Sequence, residues 1–237
     1  MAFSHSPKIV TDELELFLDP GDKNSYPGSG TAWYDLSGNQ QHQTITFDTG
    51  GEFKTANGGY IYFGAGTTGS GASYVDANYS PFNVATSTAT MSFWRRRTAT
   101  SNNGSDFFSM DRDDANGVRI SQQGSGANAA VTFGTDSQSD QLASSALTDN
   151  VWYHVVCTLA STSKKIYING ALNASDTVDA TTISRSGSSE CTLASLSTVQ
   201  NTYNFAGDFG PVIFYRKALS AKEVWQNFNA HRSRFGL

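Results

Sequence analysis

Charge is scarce in this chain: Asp, Glu, Lys and Arg make up 16% of its 237 residues, against about 25% in an average domain. Glutamate is scarcest, with only Glu13, Glu15, Glu52, Glu190 and Glu223. The net charge of −5 provides no basic field for phosphate backbones, so neither nucleic acid nor an anionic membrane is an expected partner. No apolar run approaches the ~20 residues that span a bilayer, so no membrane insertion is expected. The opening segment, residues 1–10, lacks the charged and apolar regions of a secretion signal, which points to synthesis in a cytoplasm. Cys157 and Cys191 are the only cysteines. They are too few for a disulfide framework and lack the spacing of a metal site. Lying in apolar segments, they read as buried free thiols.

What is abundant is neutral polarity. Serine, threonine and glycine (30, 24 and 22 residues) account for 76 of 237 positions. A helix-rich core would draw on Ala, Leu, Glu and Lys instead. Aromatics at 12% are too many for a disordered chain, and the length suits one all-β unit. Short strand-like runs recur at Leu14–Leu18, Tyr60–Phe63, Met91–Arg97, Ala130–Phe133, Val151–Leu159, Cys191–Leu196 and Pro211–Tyr215, a spacing that signals a sandwich or barrel. Asn116-Gly117 and Asn169-Gly170 lie between such runs and predict hairpins, because both central residues of a type I′ turn need φ > 0. The one helix is expected at the end. Ser220 to Glu223 spells a capping box, with Leu219 and Val224 placed for a hydrophobic staple. Val224, Trp225 and Phe228 then read as a stripe packed on the sandwich, a reading preferred to a binding role for Trp225.

Motifs that carry chemistry are few. Gly64 to Gly69 matches GxGxxG, but no helix follows, and a dinucleotide site needs that helix N-terminus. His154 lies within a strand and reads as a packed histidine with a satisfied ring nitrogen. Asp111, Asp113 and Asp114 faintly outline a calcium loop. Ala115 stands where a ligand is needed, and the glycine comes one residue late, so a polar hairpin tip is the plainer reading. No glutamate has the neighbourhood of a paired-carboxylate strand, so no catalytic residue is assigned. Arg95, Arg96 and Arg97 end a strand, with Arg95 and Arg97 on one face. They are candidates for binding an acidic sugar or a neighbouring subunit, or form a solvated strand end.

Three segments resemble the concanavalin A-like lectin/glucanase superfamily in its laminin-G-like (LamG) branch. The first is Val151-Trp152-Tyr153-His154-Val155-Val156-Cys157-Thr158 with Lys165-Ile166-Tyr167-Ile168-Asn169-Gly170. The second runs from Phe205-Ala206-Gly207-Asp208-Phe209 through Ile213 to Ser220. The third is the N-terminal block Leu14 to Asp19, Ser25-Tyr26-Pro27-Gly28-Ser29-Gly30 and Trp33 to Asn39. That block and the ending, Asn227-Phe228 with Arg232 to Leu237, are similar to virion proteins of tailed bacteriophages. The sequence departs from the family pattern at Gln40 to Gln43, and at Gly210-Pro211, which interrupts an expected strand.

The resemblance implies an all-β fold: a two-sheet antiparallel jelly-roll sandwich with a short C-terminal α-helix. Residues 1–10 would form an N-terminal arm and residues 11–237 a single LamG domain. It implies a non-enzymatic virion protein, a capsid decoration or a fibre or tail component. Its partners would be other virion subunits in a homo-oligomer such as a trimer, with capacity for a cell-surface glycan. The alternative is a lectin-like carbohydrate-binding module for host polysaccharide. A glycoside hydrolase ranks below both. Trp33, Tyr34, Tyr60 and Tyr62 are candidate sugar contacts. Calcium enters only through the family, where loop carboxylates often hold it; no other cofactor is expected.

Overall fold

Alternating apolar and polar residues build two antiparallel sheets of eight strands each. A computed structural model describes residues 8–48, 50–64, 73–76, 82, 84–98, 104–110, 116–123, 128–135, 140–177, 181–184, 191–196 and 204–237. The first sheet runs β14 (Ala171–Thr177), β13 (Ser163–Ile168), β12 (Tyr153–Ala160), β7 (Thr88–Arg97), β16 (Gly207–Tyr215), β5 (Tyr60–Tyr62) and β4 (Glu52–Lys54), with β1 (Leu14–Leu18) also on β16. The second runs β11 (Asp140–Thr148), β10 (Asn128–Thr135), β9 (Val118–Gln123), β8 (Gly104–Met110), β15 (Cys191–Leu193), β6 (Tyr74–Asp76), β3 (Gln43–Thr46) and β2 (Ala32–Trp33). The expected jelly-roll sandwich is the observed architecture. Among the described residues, no helix is long and apolar enough to cross a membrane.

Between the sheets lies an aromatic-rich core. Phe93 of β7 sits 6.2 Å from Phe107 of β8 and 5.6 Å from Phe214 of β16, and Phe205, Phe108 and Phe133 join them. Each such fully buried side chain contributes about 1.5–3 kcal/mol. Cys157 and Cys191 form no disulfide with each other, and both are buried within this layer. Burial pushes the Cys157 thiol well above its ordinary range, so it is inert rather than reactive.

Local signals account for most turns. Asn169 and Gly170 take φ of 51° and 80° between β13 and β14, the left-handed pair a type I′ hairpin needs. Asn116-Gly117 differs: β8 ends at Met110 and β9 begins at Val118, so the pair closes a longer connection rather than a two-residue loop. Gly210-Pro211 does not interrupt its strand. β16 continues through it, with a register shift between Phe209 and Val212, since a bulge frees the amide position that proline cannot use. Downstream of that bulge β1 pairs along β16, and upstream β5 does.

The outer face of the first sheet is covered by α1 (Ala221–His231) and the 3-10 turn Arg232–Phe235. The capping box forms as expected: Ser220 Oγ accepts from the Glu223 amide, and Glu223 accepts from the Ser220 amide. Leu219 and Val224 share one buried cluster, as a staple requires. Trp94 of β7 is stacked by Phe235 at 4.3 Å, Phe228 at 5.7 Å and His154 at 5.0 Å. Residues 8–10 lie against this same helix. The Val10 amide donates to Asn227 Oδ1, the Tyr215 hydroxyl donates to the Val10 carbonyl, and Gln226 Nε2 donates to the Lys8 carbonyl.

The strand-end arginines part company as alternation requires, but not toward water. Arg96 faces out, paired with Asp208 at 2.6 Å. Arg95 and Arg97 point between the sheets and are wholly buried, which corrects the expectation of a solvated strand end and leaves neither on a surface that a ligand or subunit could reach. Arg97 meets Asp149 through two hydrogen bonds of 2.6 and 3.1 Å. Among the described residues, Arg95 has no hydrogen-bond partner at any of its three guanidinium nitrogens, and it lies over the rings of Phe107 at 5.0 Å and Tyr153 at 5.6 Å. Burial, and then the neighbouring Arg97 charge, pull its pKa down to about 9. Replacing an unpartnered buried charge with an apolar residue of similar volume is often neutral or stabilising by about 1–4 kcal/mol. Arg95→Met is therefore expected to leave stability unchanged or raise it in urea denaturation. A loss above about 2 kcal/mol would contradict this placement.

Candidate functional site

One arrangement in the structure has the spacing of catalytic chemistry. Ser92 Oγ and His154 Nε2 are 2.9 Å apart, the spacing of a nucleophile and its base. Both are buried under the C-terminal helix, His154 stacks on Trp94 and Phe228, and its Nδ1 has no partner to orient the ring. Burial lowers the His154 pKa to about 3, leaving the ring neutral. This pair is packing: one ring nitrogen is satisfied, as the sequence predicts, and the other is not. Three of the glutamates are engaged in pairs of their own. Glu52 pairs with Lys54, Glu15 with Arg216, and Glu223 with Lys217 and its own helix cap.

Metal chemistry finds no gathered ligands. Among the described residues no group of three His, Cys, Asp or Glu could hold an ion. The candidate calcium residues Asp111, Asp113 and Asp114 lie outside the described residues.

The four aromatic candidates separate by exposure. Trp33 is fully buried in the central core. Tyr60 is buried with its ring edge-on to Trp152, and Tyr62 packs against the same cluster. Tyr34 alone is open, 41% exposed and edge-on to His42. The polar face of the second sheet is also closed at its middle. Register aligns Thr44, Asp76, Thr192, Ser109 and Arg119 in one cross-strand row on the side away from the core, yet Thr192, Ser109 and Arg119 are buried.

The open site lies on the helix, at a residue assigned above to packing. Val224, Asn227, Phe228 and His231 are the buried positions of α1, and Trp225 stands 48% exposed. The other tryptophans, Trp33, Trp94 and Trp152, are buried. Trp225 lines a depression of about 450 Å³ with Lys222, Gln226, Asn229 and Arg232, within the size range of ligand sites. One edge of the indole rests on the β13–β14 turn, where a Cβ added at Gly170 would come within 2.6 Å of Trp225 Cε3. The Arg232 guanidinium sits over the Trp225 ring at 6.0 Å and over Phe228 at 5.8 Å. Gln226 Nε2 and Asn229 Nδ2 both donate to backbone carbonyls, those of Lys8 and Trp225. Their side-chain carbonyl oxygens are left as acceptors.

An apolar ring face, acceptor amides and cations around one shallow opening can stack a flat apolar surface and fix polar substituents at its rim. The helical spacing 224, 227, 228 and 231 would have separated Trp225 from the packed stripe in the sequence, because residue 225 lies about 100° around the helix from 224.

Comparison with known proteins fits this architecture. Residues 68–225 match the Laminin_G_3 family profile, described as the Concanavalin A-like lectin/glucanases superfamily. No curated protein matches the chain in sequence. Among solved structures it is similar to domain 4 of AbnA, a GH43 extracellular arabinanase from Geobacillus stearothermophilus, in complex with arabinotriose. The TM-score is 0.66 at 17% identity, covering 91% of this chain and 98% of that one. It is also similar to the binding domain of Paraclostridial Mosquitocidal Protein 1 (TM-score 0.64, 20% identity, 93% and 52% coverage). A third similar structure is the binding domain of Botulinum Neurotoxin DC in complex with SialylT (TM-score 0.64, 16% identity, 93% and 52% coverage). The chain spans about half the length of these toxin domains and nearly all of the arabinanase domain. At such identities the likeness is one of fold.

Proposed function

The chain belongs to the concanavalin A-like lectin/glucanase superfamily through its Laminin_G_3 match, and on that premise we propose that it is a non-catalytic carbohydrate-binding module. The observation that carries this reading is Trp225, an exposed indole on a rigid helix whose depression offers amide acceptors and cations but no paired carboxylates. Two structural neighbours support it, since the arabinanase domain was solved in complex with arabinotriose and a toxin binding domain in complex with SialylT. Hydrolysis is disfavoured because Glu15 and Glu52 serve ion pairs and Glu223 serves an ion pair and a helix cap.

A glycan array run with and without calcium tests the proposal. Binding of at least one oligosaccharide is expected, and its loss in Trp225→Ala. Exposed tryptophan anchors carry roughly 2 kcal/mol or more, so affinity should fall about 30-fold or further. The same variant should keep its stability to within about 1 kcal/mol, since Trp225 is half exposed. No binding to any glycan in either condition would overturn the reading.

A second reading concerns where the module is displayed. The N-terminal block and the ending that resemble phage virion proteins favour a capsid decoration, fibre or tail component, oligomeric on the particle, with host polysaccharide as the sugar. Mass spectrometry of purified virions tests this: the protein is expected there, and its absence would remove the reading.

A further inference from the structure

Resting on the carbohydrate-binding reading, we infer that the Trp225 depression recognises a carboxylated sugar, a pyranose bearing an acid group, with Arg232 and Lys222 taking the carboxylate while the indole stacks the ring.

Arg96 pairs with Asp208, Arg97 with Asp149, Lys164 with Asp140, Arg216 with Glu15, Lys217 with Asp12 and Glu223, Arg234 with Asp19, and Lys54 with Glu52. Lys222 and Arg232 form no ion pair among the described residues, both are exposed, and both line the one depression that Trp225 opens onto. Lys8, Lys23 and Lys165 also form no ion pair among the described residues, but none of them lines the Trp225 depression. No Asp or Glu lines it. A neutral sugar gives these two charges no partner, whereas a carboxylate does.

The geometry of the ring supports the same ligand. Arg232 is held beside Trp225 by contacts to two rings, Trp225 at 6.0 Å and Phe228 at 5.8 Å. Its planar fork is therefore partly ordered before a ligand arrives, and guanidinium meets carboxylate through two parallel hydrogen bonds. The amides complete the match. With Gln226 Nε2 and Asn229 Nδ2 tied to backbone carbonyls, the rim offers acceptors for sugar hydroxyl donors and cations for the acid. Phosphate-rich polymers are poorly served, because the rest of the surface carries the opposite sign overall.

The test is calorimetric titration of the full chain with trigalacturonate, its methyl ester, 3′-sialyllactose and lactose. The first pair changes only the charge of a uronate, and the second asks whether a sialate is the source instead. At least one acid is expected to bind 10-fold or more tightly than its neutral counterpart, and less so as salt rises. Arg232→Gln should cut that preference to about threefold or less, with Lys222→Gln cutting it partway. Equal affinity for acid and neutral forms, or a preference untouched in Arg232→Gln of unchanged melting temperature, would overturn the inference and leave the sugar reading standing. Failure of every sugar to bind would overturn both.

Discussion

Asp149→Ala should lower stability by about 3–5 kcal/mol, because removing one partner of a buried ion pair strands the other charge. Asp149 is the carboxylate that meets Arg97, through contacts of 2.6 and 3.1 Å, and its field also reaches Arg95. Without it, two adjacent interior guanidiniums face each other in the core with no counter-charge from Asp149. In a domain of this size each kcal/mol moves the melting temperature by about 2–4 °C, so a fall of roughly 6–20 °C is expected. Adding Arg97→Met to Asp149→Ala should recover much of the loss, since the stranded charge goes with it. A single-variant loss below about 1 kcal/mol in urea denaturation would show that the interior pair is hydrated, contrary to its burial.

The second large effect is acid lability from His154. Its folded pKa lies near 3 against an ordinary 6.5, driven by burial and then by the His231 charge. The unfolded chain accepts a proton below about pH 6.5, and the folded chain refuses it down to about pH 3. The stabilisation is therefore fully present above pH 6.5 and is lost as pH falls, at about 1.4 kcal/mol per pH unit. Burial lowers His231 as well, adding to the trend. Asp208 opposes it: burial raises its carboxyl from 3.8 to about 6 despite the Arg96 pair, so its protonated form favours the fold between those values. The clean readout is a difference. Wild type minus His154→Gln should lose about 4–5 kcal/mol of relative stability between pH 7 and pH 3. Parallel curves for the two proteins would show that the ring titrates normally.

The sequence is most legible where the physics is local. The Leu14–Leu18 strand, the Asn169-Gly170 hairpin and the Ser220–Glu223 capping box each depend on a few neighbouring residues. Edge strands are the ones it hides: Ala171–Thr177 and Asp140–Thr148 terminate their sheets and are polar and largely exposed, so little apolar alternation announces them. Long-range partners hide too. Nothing near Arg97 reveals that Asp149, 52 residues on, will neutralise it inside the core.

Much of the N-terminal and C-terminal signatures turns out to be structural. Asp35 accepts hydrogen bonds from the amides of Phe17, Ser37 and Gln41, knotting the first turns together. Arg234 clamps Asp19 at 2.7 and 2.9 Å and donates to the carbonyls of Asn57 and Gly59, closing the two ends of the chain on each other. Residues that make a sequence recognisable need not touch a ligand. Trp225, which carries no part of that signature, is the residue left facing solvent.

The most direct test of sugar recognition at this helix is a two-dimensional NMR titration read at the indole N–H signals. The chain has four tryptophans, three buried and Trp225 exposed, so they should respond separately to a panel of arabino-, galacturono- and sialyl-oligosaccharides. The prediction is that one indole signal moves with saturable dependence on sugar, and that this signal is the one missing in Trp225→Ala. If no sugar in the panel moves the Trp225 signal, or only the buried indoles respond, the proposed recognition of carbohydrate at this helix is wrong.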